Sequence, residues 1–313
     1  MDGMPQLYVT GLTAPVQAAM GLQRTLRSAI CCAGTALHSG RPVRVALRPA
    51  TGTGITFYRT DLGISISAAH DRVTDTRLCT VLSHGEARVG TVEHLMAAFA
   101  ACGITDATVD VDGPELPVLD GSSGAWVFLI DCAGTVALDA PARTIVVRRT
   151  VRVTEGDAWA ELRPNPSHGG LDLSLSIEFS AAAIGRQALT LTLSEAMFRA
   201  HLAECRTFVL AHDIAALQSA GLAVGGSLDN AIVVDGARVL NPAGLRMPDE
   251  FVRHKMLDAI GDLALAGASL NARFTGHKSG HALNNRVLRA LFADAANWAW
   301  ADAPSDARRR VAA

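Results

Sequence analysis

Aromatic residues are scarce in this sequence: they make up 5% of its 313 residues and include only two tyrosines. Proteins that bind single-stranded nucleic acid commonly stack bases on aromatic side chains set among basic ones, and no such interleaving is present. The 28 lysines and arginines are matched by 30 aspartates and glutamates, a formal charge of −2. The sequence therefore argues against a nucleic-acid-binding protein.

Long apolar runs and paired cysteine motifs are absent too. No run of about 18 apolar residues marks a transmembrane helix. Residues 1–22 lack the basic segment and apolar core of a signal peptide, and we expect a disordered extension or a misassigned start codon there. The arginine-rich tail at 301–313 allows at most a peripheral membrane contact. Six cysteines without a CxxC pair indicate reduced thiols in a cytoplasmic protein: Cys31, Cys32, Cys79, Cys102, Cys132 and Cys205.

The most informative string that is present is DEFVRHKMLDAIGD at 249–262. It is typical of one amphipathic helix and places His254, Asp258 and Asp262 at four-residue steps. Such steps drift by only about 40° on an α-helix, so the three side chains share one face. A histidine and a carboxylate one turn apart can hold a metal ion, although an ordinary surface pair is the commoner meaning of this spacing.

A catalytic metal needs a third ligand, and the best candidate lies in GTVEHLMAAF at 90–99. This string predicts a helix start with Thr91 as its N-cap. Glu93 and His94 point about 100° apart, so they are not expected to chelate one ion side by side. The useful arrangement is His94 on the metal with Glu93 as a base beside the metal-activated water. The alternative is that Glu93 and His94 belong to an ordinary helix cap, in which the histidine has its hydrogen bonds satisfied and binds no metal.

A third string, FTGHKSGHALNN at 274–285, follows a predicted strand at 268–273 and opens a predicted helix at 282–292. Glycine, histidine, lysine and serine at a strand-to-helix turn can hold an anion through backbone amides and side chains. An ordinary polar loop is the alternative interpretation.

The order of predicted elements indicates an α+β fold of two similar domains, 23–140 and 141–300. Each is expected to pack a small, mostly antiparallel sheet against helices, with a linker at 138–143. The first domain carries Glu93 and His94, and the second carries His254, Asp258 and His281, which puts the active site at the interface. Strands are predicted at 43–47, 55–58, 79–82, 107–111, 144–147, 158–162 and 171–176, and a further helix at about 123–133.

Together these strings resemble the UDP-3-O-acyl-N-acetylglucosamine deacetylase family, zinc amidases that commit an acylated nucleotide sugar to lipid A synthesis. The resemblance covers roughly residues 23 to 300 with the motifs in the family's order. It also includes QRTL at 23–26, GTALHSG at 34–40, YRTD at 58–61, DTRLCT at 75–80, PELPVLDGS at 114–122, CRTF at 205–208 and GGSLDNA at 225–231.

The resemblance implies a role for each matching position. It assigns the zinc ligands to His94, His254 and Asp258, although iron(II) is compatible with the same donors. It implies that Glu93 is the general base and that a cationic His281 stabilises the oxyanion and protonates the leaving amine. Asp262 is expected to bond His281, and Thr207 to donate to the oxyanion. A single bifunctional Glu93 is the alternative scheme.

On the substrate side, the resemblance implies an apolar wall at Phe208 and diphosphate contacts from Lys255, His38 and Lys278. The apolar stretch at 214–226 is expected to line an acyl-chain channel or to be plain core. At 276–277 this sequence has Gly-His where the family often has Ala-Tyr.

The implied reaction is hydrolysis of the 2-acetamido group of UDP-3-O-acyl-N-acetylglucosamine by a monomeric, cytoplasmic enzyme. Two other classes are kept open. One is a zinc amidase for another acylated amino sugar or a simpler N-acetyl compound. The other is a catalytically silent protein that binds nucleotide sugars.

Overall fold

Strands joined by short turns make up most of the first half of the chain. The structure, a computed structural model, describes residues 7–8, 21–166 and 169–301. The elements of this half are β1 (Leu7–Tyr8), β2 (Leu22–Leu26), β3 (Ile30–Thr35), β4 (Pro42–Pro49), β5 (Ile55–Arg59), β6 (Ile64–Ser67), β7 (Val73–Asp75), β8 (Val81–His84), β9 (Ala87–Val89), α1 (Glu93–Ala101), β10 (Ala107–Val111), α2 (Gly124–Ala133) and β11 (Thr135–Pro141).

The second half has longer strands and longer helices. In chain order these are β12 (Thr144–Val147), β13 (Val151–Glu155), β14 (Ala158–Arg163), β15 (Leu171–Glu178), β16 (Arg186–Thr192), α3 (Glu195–His201), β17 (Phe208–Leu210), α4 (Ala211–Ser219), β18 (Ile232–Asp235), β19 (Arg238–Val239), α5 (Glu250–Ala264), β20 (Ser269–His277), α6 (His281–Phe292) and β21 (Trp298–Trp300). Two 3-10 turns lie at His70–Arg72 and Ala295–Asn297.

Two larger sheets carry the core. The first has the strand order β3-β4-β10-β5-β6 and is antiparallel except for the β10–β5 pair. Valines and leucines alternate along β4, so Val43, Val45 and Leu47 are buried on one face. The second sheet centres on β20, which pairs with β15 in parallel and with β14 in antiparallel orientation, and pairs with β12 through its first residues. Most strand pairs among the described residues are antiparallel, which confirms the predicted α+β class.

Helices α1 and α5 pack closely against each other, and a glycine makes this possible. Gly261 of α5 faces the backbone of α1, where a Cβ atom would overlap the carbonyl oxygen of Glu93. Both helices are buried over nearly their whole length. The close packing brings residues of the two halves of the chain to one buried point.

The predicted helices are confirmed with small shifts at their ends. The string at 249–262 forms α5, the one at 282–292 forms α6, and the one at 123–133 forms α2. The prediction that Thr91 caps α1 is wrong. The N-cap is Val92, without a side-chain cap, while Thr91 has a φ of 57° and donates its hydroxyl to Glu115 Oε1 at 3.1 Å. Its side chain ties the helix start to a neighbouring loop instead.

Several strand boundaries and the linker differ from the predictions. The strand predicted at 79–82 begins at Val81, because residues 77–79 form a bend. The strand predicted at 268–273 runs on to His277, because β14 and β15 pair with it on both sides, so the turn before α6 contains only residues 278–280. The segment predicted as a linker, 138–143, is strand up to Pro141, because β11 pairs irregularly with β2.

The division into domains 23–140 and 141–300 stays a prediction. Of the extension at 1–22, residues 7–8 pair with β16 and residue 22 begins β2, while 1–6 and 9–20 lie outside the described residues, as do 302–313 of the tail. Within the described ranges, no helix is both long enough and apolar enough to cross a bilayer.

Candidate active site

Three buried side chains converge where α1 meets α5. His94 lies in the first turn of α1, and His254 and Asp258 lie one turn apart on α5. Asp258 Oδ1 is 3.3 Å from His254 Nε2 and 3.5 Å from His94 Nε2. All three ligand atoms lie within 4.8 Å of one another. The structure thus brings the three predicted metal ligands together.

The donor set fits a metal ion such as zinc. Tetrahedral bonds of about 2.0–2.1 Å place neighbouring ligand atoms about 3.4 Å apart, which is close to the two separations from Asp258. Asp258 Oδ1 is buried and accepts no hydrogen bond from any described residue. A buried carboxylate oxygen without a donor is costly, and a cation between it and the two imidazoles would satisfy it.

Contacts behind the ligands fix their orientation. His254 Nδ1 lies 3.0 Å from the carbonyl oxygen of Cys205, which can only accept, so Nδ1 carries the proton and Nε2 is free to bind a metal. Burial lowers the pKa of His254 to about 4, which keeps the ring neutral. The other oxygen of Asp258 accepts a 2.7 Å bond from Lys255 Nζ.

The charges around Asp258 hold it as a carboxylate. Burial alone raises its pKa, but the neighbouring His254 and Lys255 lower it well below the ordinary value. Burial likewise lowers the pKa of Lys255, and the Asp258 carboxylate reverses that shift and raises it. Lys255 therefore stabilises the carboxylate of Asp258, one of the three metal-ligand candidates. Its predicted contact with a diphosphate stays a prediction.

Glu93 lies beside the three ligands, in the first turn of α1. Its Oε2 accepts the backbone N–H of Thr80 at 3.0 Å, and its Oε1 lies 4.0 Å from His281 Nε2. Burial raises the pKa of Glu93, although the positive charge of His281 opposes the shift. A carboxylate with a raised pKa beside a metal site is suited to accept a proton from water.

His281 forms the opposite wall of the site from the start of α6. Its Nδ1 is bonded at 2.9 Å to Asp262 Oδ2, which also accepts the Asn284 amide at 2.9 Å. Burial lowers the pKa of His281, but the Asp262, Glu93 and Asp258 carboxylates outweigh burial and raise it to about 9. These carboxylates favour the cationic form of the imidazole at neutral pH, the form that the family resemblance implies.

A cavity of about 330 Å³ opens beside these groups. Phe208 lies between the cavity and the metal-ligand candidates. Its ring packs edge-on against the rings of Phe251 and His254, with centroid distances of 5.1 Å and 6.3 Å. The lining is largely apolar: Leu37, His38, Leu78, Thr207, Phe208, Val209, Ile214, Leu217, Gln218, Ala223, Gly226, Ser227, Leu228, Ala231 and Val233.

Helix α4 forms one side of this cavity. None of its residues is fully buried, yet Ile214 and Leu217 line the cavity. The segment 214–226 thus walls a cavity and does not lie in the core, which favours the first of the two predictions made for it. Its far end is anchored to the first half, since the N–H groups of Val224 and Gly225 donate to the carbonyls of His38 and Leu37.

Comparison with known proteins assigns the chain to a family. Residues 23–293 match the family model described as UDP-3-O-acyl N-acetylglycosamine deacetylase (LpxC). This chain belongs to that deacetylase family. Proteins named UDP-3-O-acyl-N-acetylglucosamine deacetylase are 47% identical in Acidithiobacillus ferrooxidans, over 90% of this chain and 93% of that protein, and 48% identical in Actinobacillus succinogenes, over 89% and 92%. The one from Phenylobacterium zucineum is 47% identical over 88% of this chain and 95% of its own length.

His38, in the string GTALHSG, lines the cavity. The backbone N–H of His38 donates to Glu115 Oε1 at 2.8 Å, while neither ring nitrogen has a hydrogen-bond partner among the described residues. Burial lowers the pKa of His38, although the Glu115 and Asp75 charges oppose it. Both ring nitrogens are thus buried without a partner in the described part of the chain, and a ligand that reached them would satisfy them. Thr207 is held beside it by backbone bonds to Gly121 and Ile232.

Two residues of the 274–285 string lie away from these groups. Lys278 Nζ is paired with Asp157 at 2.7 Å and with Glu178 at 2.9 Å, and it does not line the cavity. His277, one of the positions that departs from the common family pattern, bonds Ser176 Oγ through Nδ1 at 2.8 Å on the sheet surface. The predicted anion contact of Lys278 requires that its two ion pairs open.

Three groups that touch the site are not predictable from the sequence. They are Thr80, Asn284 and the carbonyl of Cys205. Thr80 lies inside the family string DTRLCT, but nothing in its residue type or spacing connects it with groups 13 and 182 positions away. A backbone carbonyl leaves no trace in a sequence at all.

Proposed function

We propose that this chain hydrolyses the 2-acetamido group of UDP-3-O-acyl-N-acetylglucosamine to give acetate and UDP-3-O-acyl-glucosamine, the committed step of lipid A synthesis. Relatives of that name share almost half of its residues over nearly their whole length. The observation that carries the proposal is one buried point where His94, His254 and Asp258 meet, flanked by Glu93 and a cationic His281. A general base and a general acid beside a metal site suit amide hydrolysis.

The proposed metal is zinc, held by His94 Nε2, His254 Nε2 and Asp258 Oδ1. Two neutral imidazoles and one carboxylate leave a net positive charge on a divalent ion, and iron(II) accepts the same donors. Bound there, the ion would act as a Lewis acid toward water and the acetyl carbonyl oxygen. Lys255 orients Asp258 in this site. Its ammonium bonds Asp258 Oδ2 at 2.7 Å, so Oδ1 is the oxygen that faces the imidazoles.

Glu93 is the proposed base. Its Oε2 is occupied by the Thr80 N–H, which leaves Oε1 to accept a proton from the attacking water. Attack on the acetyl carbon places a negative charge on the carbonyl oxygen, and we assign its stabilisation to the His281 cation and the Thr207 hydroxyl. In the alternative scheme Glu93 also delivers this proton to nitrogen.

His281 is the proposed acid. The amine is a poor leaving group as an anion, so the carbon–nitrogen bond breaks only when nitrogen takes a proton. His281 supplies that proton from Nε2 while its Nδ1 keeps the bond to Asp262. Acetate and a free amine leave, and the oxygen gained by acetate comes from water.

The substrate's apolar and nucleotide ends have separate proposed contacts. The 3-O-acyl chain lies in the cavity, between Phe208 and the Ile214–Leu217 face of α4. His38 contacts the diphosphate, since its ring nitrogens have no other partner among the described residues. We place the reaction in the cytoplasm, which agrees with the six unpaired thiols, and expect a monomer.

The proposal is tested by measuring acetate release from UDP-3-O-acyl-N-acetylglucosamine by purified protein, before chelation, after chelation and after zinc is returned. We expect release that chelation abolishes and zinc restores. Release from N-acetylglucosamine compounds without UDP or the acyl chain, at equal kcat/KM, would favour a more general amidase. No release from folded, zinc-loaded protein that still binds the nucleotide sugar would favour a silent binding protein.

A further inference from the structure

Thr80 occupies a central position in the site that the proposed mechanism leaves without a role of its own. It lies between the bend at 77–79 and the start of β8 and is only 1% exposed. Its backbone N–H donates to Glu93 Oε2 at 3.0 Å. Its hydroxyl donates to Asp262 Oδ1 at 2.5 Å. One residue thus touches both the proposed base and the carboxylate that holds the proposed acid.

The bond to Asp262 differs from the other bonds that this carboxylate accepts. Its Oδ2 is shared by His281 Nδ1 and the Asn284 amide, both from α6 and both at 2.9 Å. Its Oδ1 has a single donor among the described residues, the Thr80 hydroxyl. Without that hydroxyl, Oδ1 would be a buried acceptor with no partner, and the carboxylate plane would be fixed from one side only.

The bond also joins two parts of the chain that are far apart in sequence. Thr80 and Asp262 are separated by 182 positions, and α1 with Glu93 follows directly after the strands next to Thr80. The loop that holds Thr80 therefore contacts both the base and the carboxylate that bonds the acid, and Glu93 Oε1 lies 4.0 Å from His281 Nε2. A proton that moves from water to nitrogen needs both groups held in register.

We propose that Thr80 is a positioning residue for this hydrolysis, one that aligns Glu93 through its peptide N–H and His281 through Asp262. The inference rests on the proposed function. The side-chain contact of Thr80 can be tested apart from its backbone contact. Substitution of the side chain removes the bond to Asp262 and leaves the backbone N–H bonded to Glu93. Valine matches threonine in shape but cannot donate, and serine donates without the methyl group.

The test compares Thr80→Val with Thr80→Ser, after zinc content and thermal midpoint have been measured for each. We expect Thr80→Val to lower kcat by about 10- to 100-fold, the usual range for a lost outer partner of a catalytic group. KM should stay within about twofold, because Thr80 does not line the cavity. Thr80→Ser should recover most of kcat. Full kcat in Thr80→Val, or equal losses in both variants, would overturn the proposal.

A double-mutant cycle tests the route through Asp262. In an Asp262→Asn background the further change Thr80→Val should cost less than about threefold in kcat, because the partner it serves is already altered. An undiminished loss in that background contradicts the route. Thr80→Ala serves in the same cycle if the valine variant does not fold.

A readout without turnover separates this inference from the proposed function. The NMR signal of the His281 Nδ1–H proton should shift or broaden in Thr80→Val and return in Thr80→Ser. Parent protein that releases no acetate would sink the proposed function alone, whereas an unchanged signal in Thr80→Val would sink the role of Thr80.

Discussion

The metal site and the cavity lie side by side, joined by Phe208, but their side chains are held in different ways. Glu93, His94, His254 and Asp258 are at most 4% exposed, and Glu93, His254 and Asp258 are each held by a defined hydrogen bond, from the Thr80 N–H, to the Cys205 carbonyl and from Lys255 respectively. The cavity is bounded by α4, which has no buried residue and holds its position through a few backbone bonds. The first region is suited to hold reacting groups in place, and the second is suited to accommodate an apolar chain.

This difference predicts that changes at the metal site act on kcat and that changes at the cavity act on KM. Binding energy from an acyl chain serves ground state and transition state alike, while a base and an acid act only during reaction.

Replacement of the base should have the largest effect. Glu93→Gln keeps the size of the side chain but cannot take a proton from water, so we expect kcat for acetate release to fall by about 10²- to 10⁴-fold. KM and zinc content should be unchanged, since Glu93 is not among the three proposed ligands. A variant that retains parental kcat with one zinc per chain would remove Glu93 from the mechanism.

The partner of the acid should control the alkaline limit of activity. His281 must be protonated to act, and its pKa is raised to about 9, so activity is present below that pH and is lost as pH rises through it. Asp262→Asn removes the largest cause that raises this pKa, and the alkaline limb of the kcat profile should move to lower pH by about 1 to 3 units. An alkaline limb that stays in place would assign it to another group.

The contact between α1 and α5 should be sensitive to a single methyl group. A Cβ at position 261 overlaps the Glu93 carbonyl oxygen, so Gly261→Ala should lower the free energy of unfolding in urea by about 1–3 kcal/mol and reduce kcat. Gly113→Ala is the control, because its Cβ would meet only Val43 Cγ2, at 3.6 Å. Equal stability of the two variants would show that the helices can separate without cost.

The cavity wall should affect substrate affinity alone. Leu217→Ser places a hydroxyl against the acyl chain, and we expect KM for a long-chain substrate to rise by about 10-fold with little change in kcat. Ala216→Ser on the same helix, exposed and outside the cavity lining, should match the parent. If Leu217→Ser instead changes kcat and leaves KM unaltered, the chain does not lie along α4.

Lys278 should matter least. Its ammonium is paired with Asp157 and Glu178 on the surface, so Lys278→Met should leave kcat and KM within about twofold of the parent. If KM instead rises for the UDP substrate but not for a substrate without UDP, the result would support the predicted contact between Lys278 and the phosphates.

Sequence patterns predicted the parts of this molecule that depend on local spacing. The four-residue steps of His254, Asp258 and Asp262 place these side chains on one face of α5. The strings that resemble the deacetylase family added His94, Glu93 and His281, and the structure brings all of these together. The packing of α1 against α5 brings these residues together, and no local sequence pattern predicts that packing.

Non-local pairing explains what the sequence did not predict. The extra four residues of β20 are strand only because β14 and β15 flank them, and Thr91 turns away from its helix to reach Glu115. Lys255 lies one position after a metal-ligand candidate, and only the folded chain shows that it bonds Asp258. The family resemblance implied a diphosphate contact for Lys255, which stays a prediction.

The most direct test of the metal site is the zinc content of the chelated protein after dialysis against zinc, measured for the parent and for Asp258→Ala. The structure predicts one zinc per parent chain, bound through His94, His254 and Asp258, and a large loss of affinity in the variant. Equal zinc binding by both proteins, or no zinc on a folded parent, would contradict the three-ligand site on which the proposed hydrolysis depends.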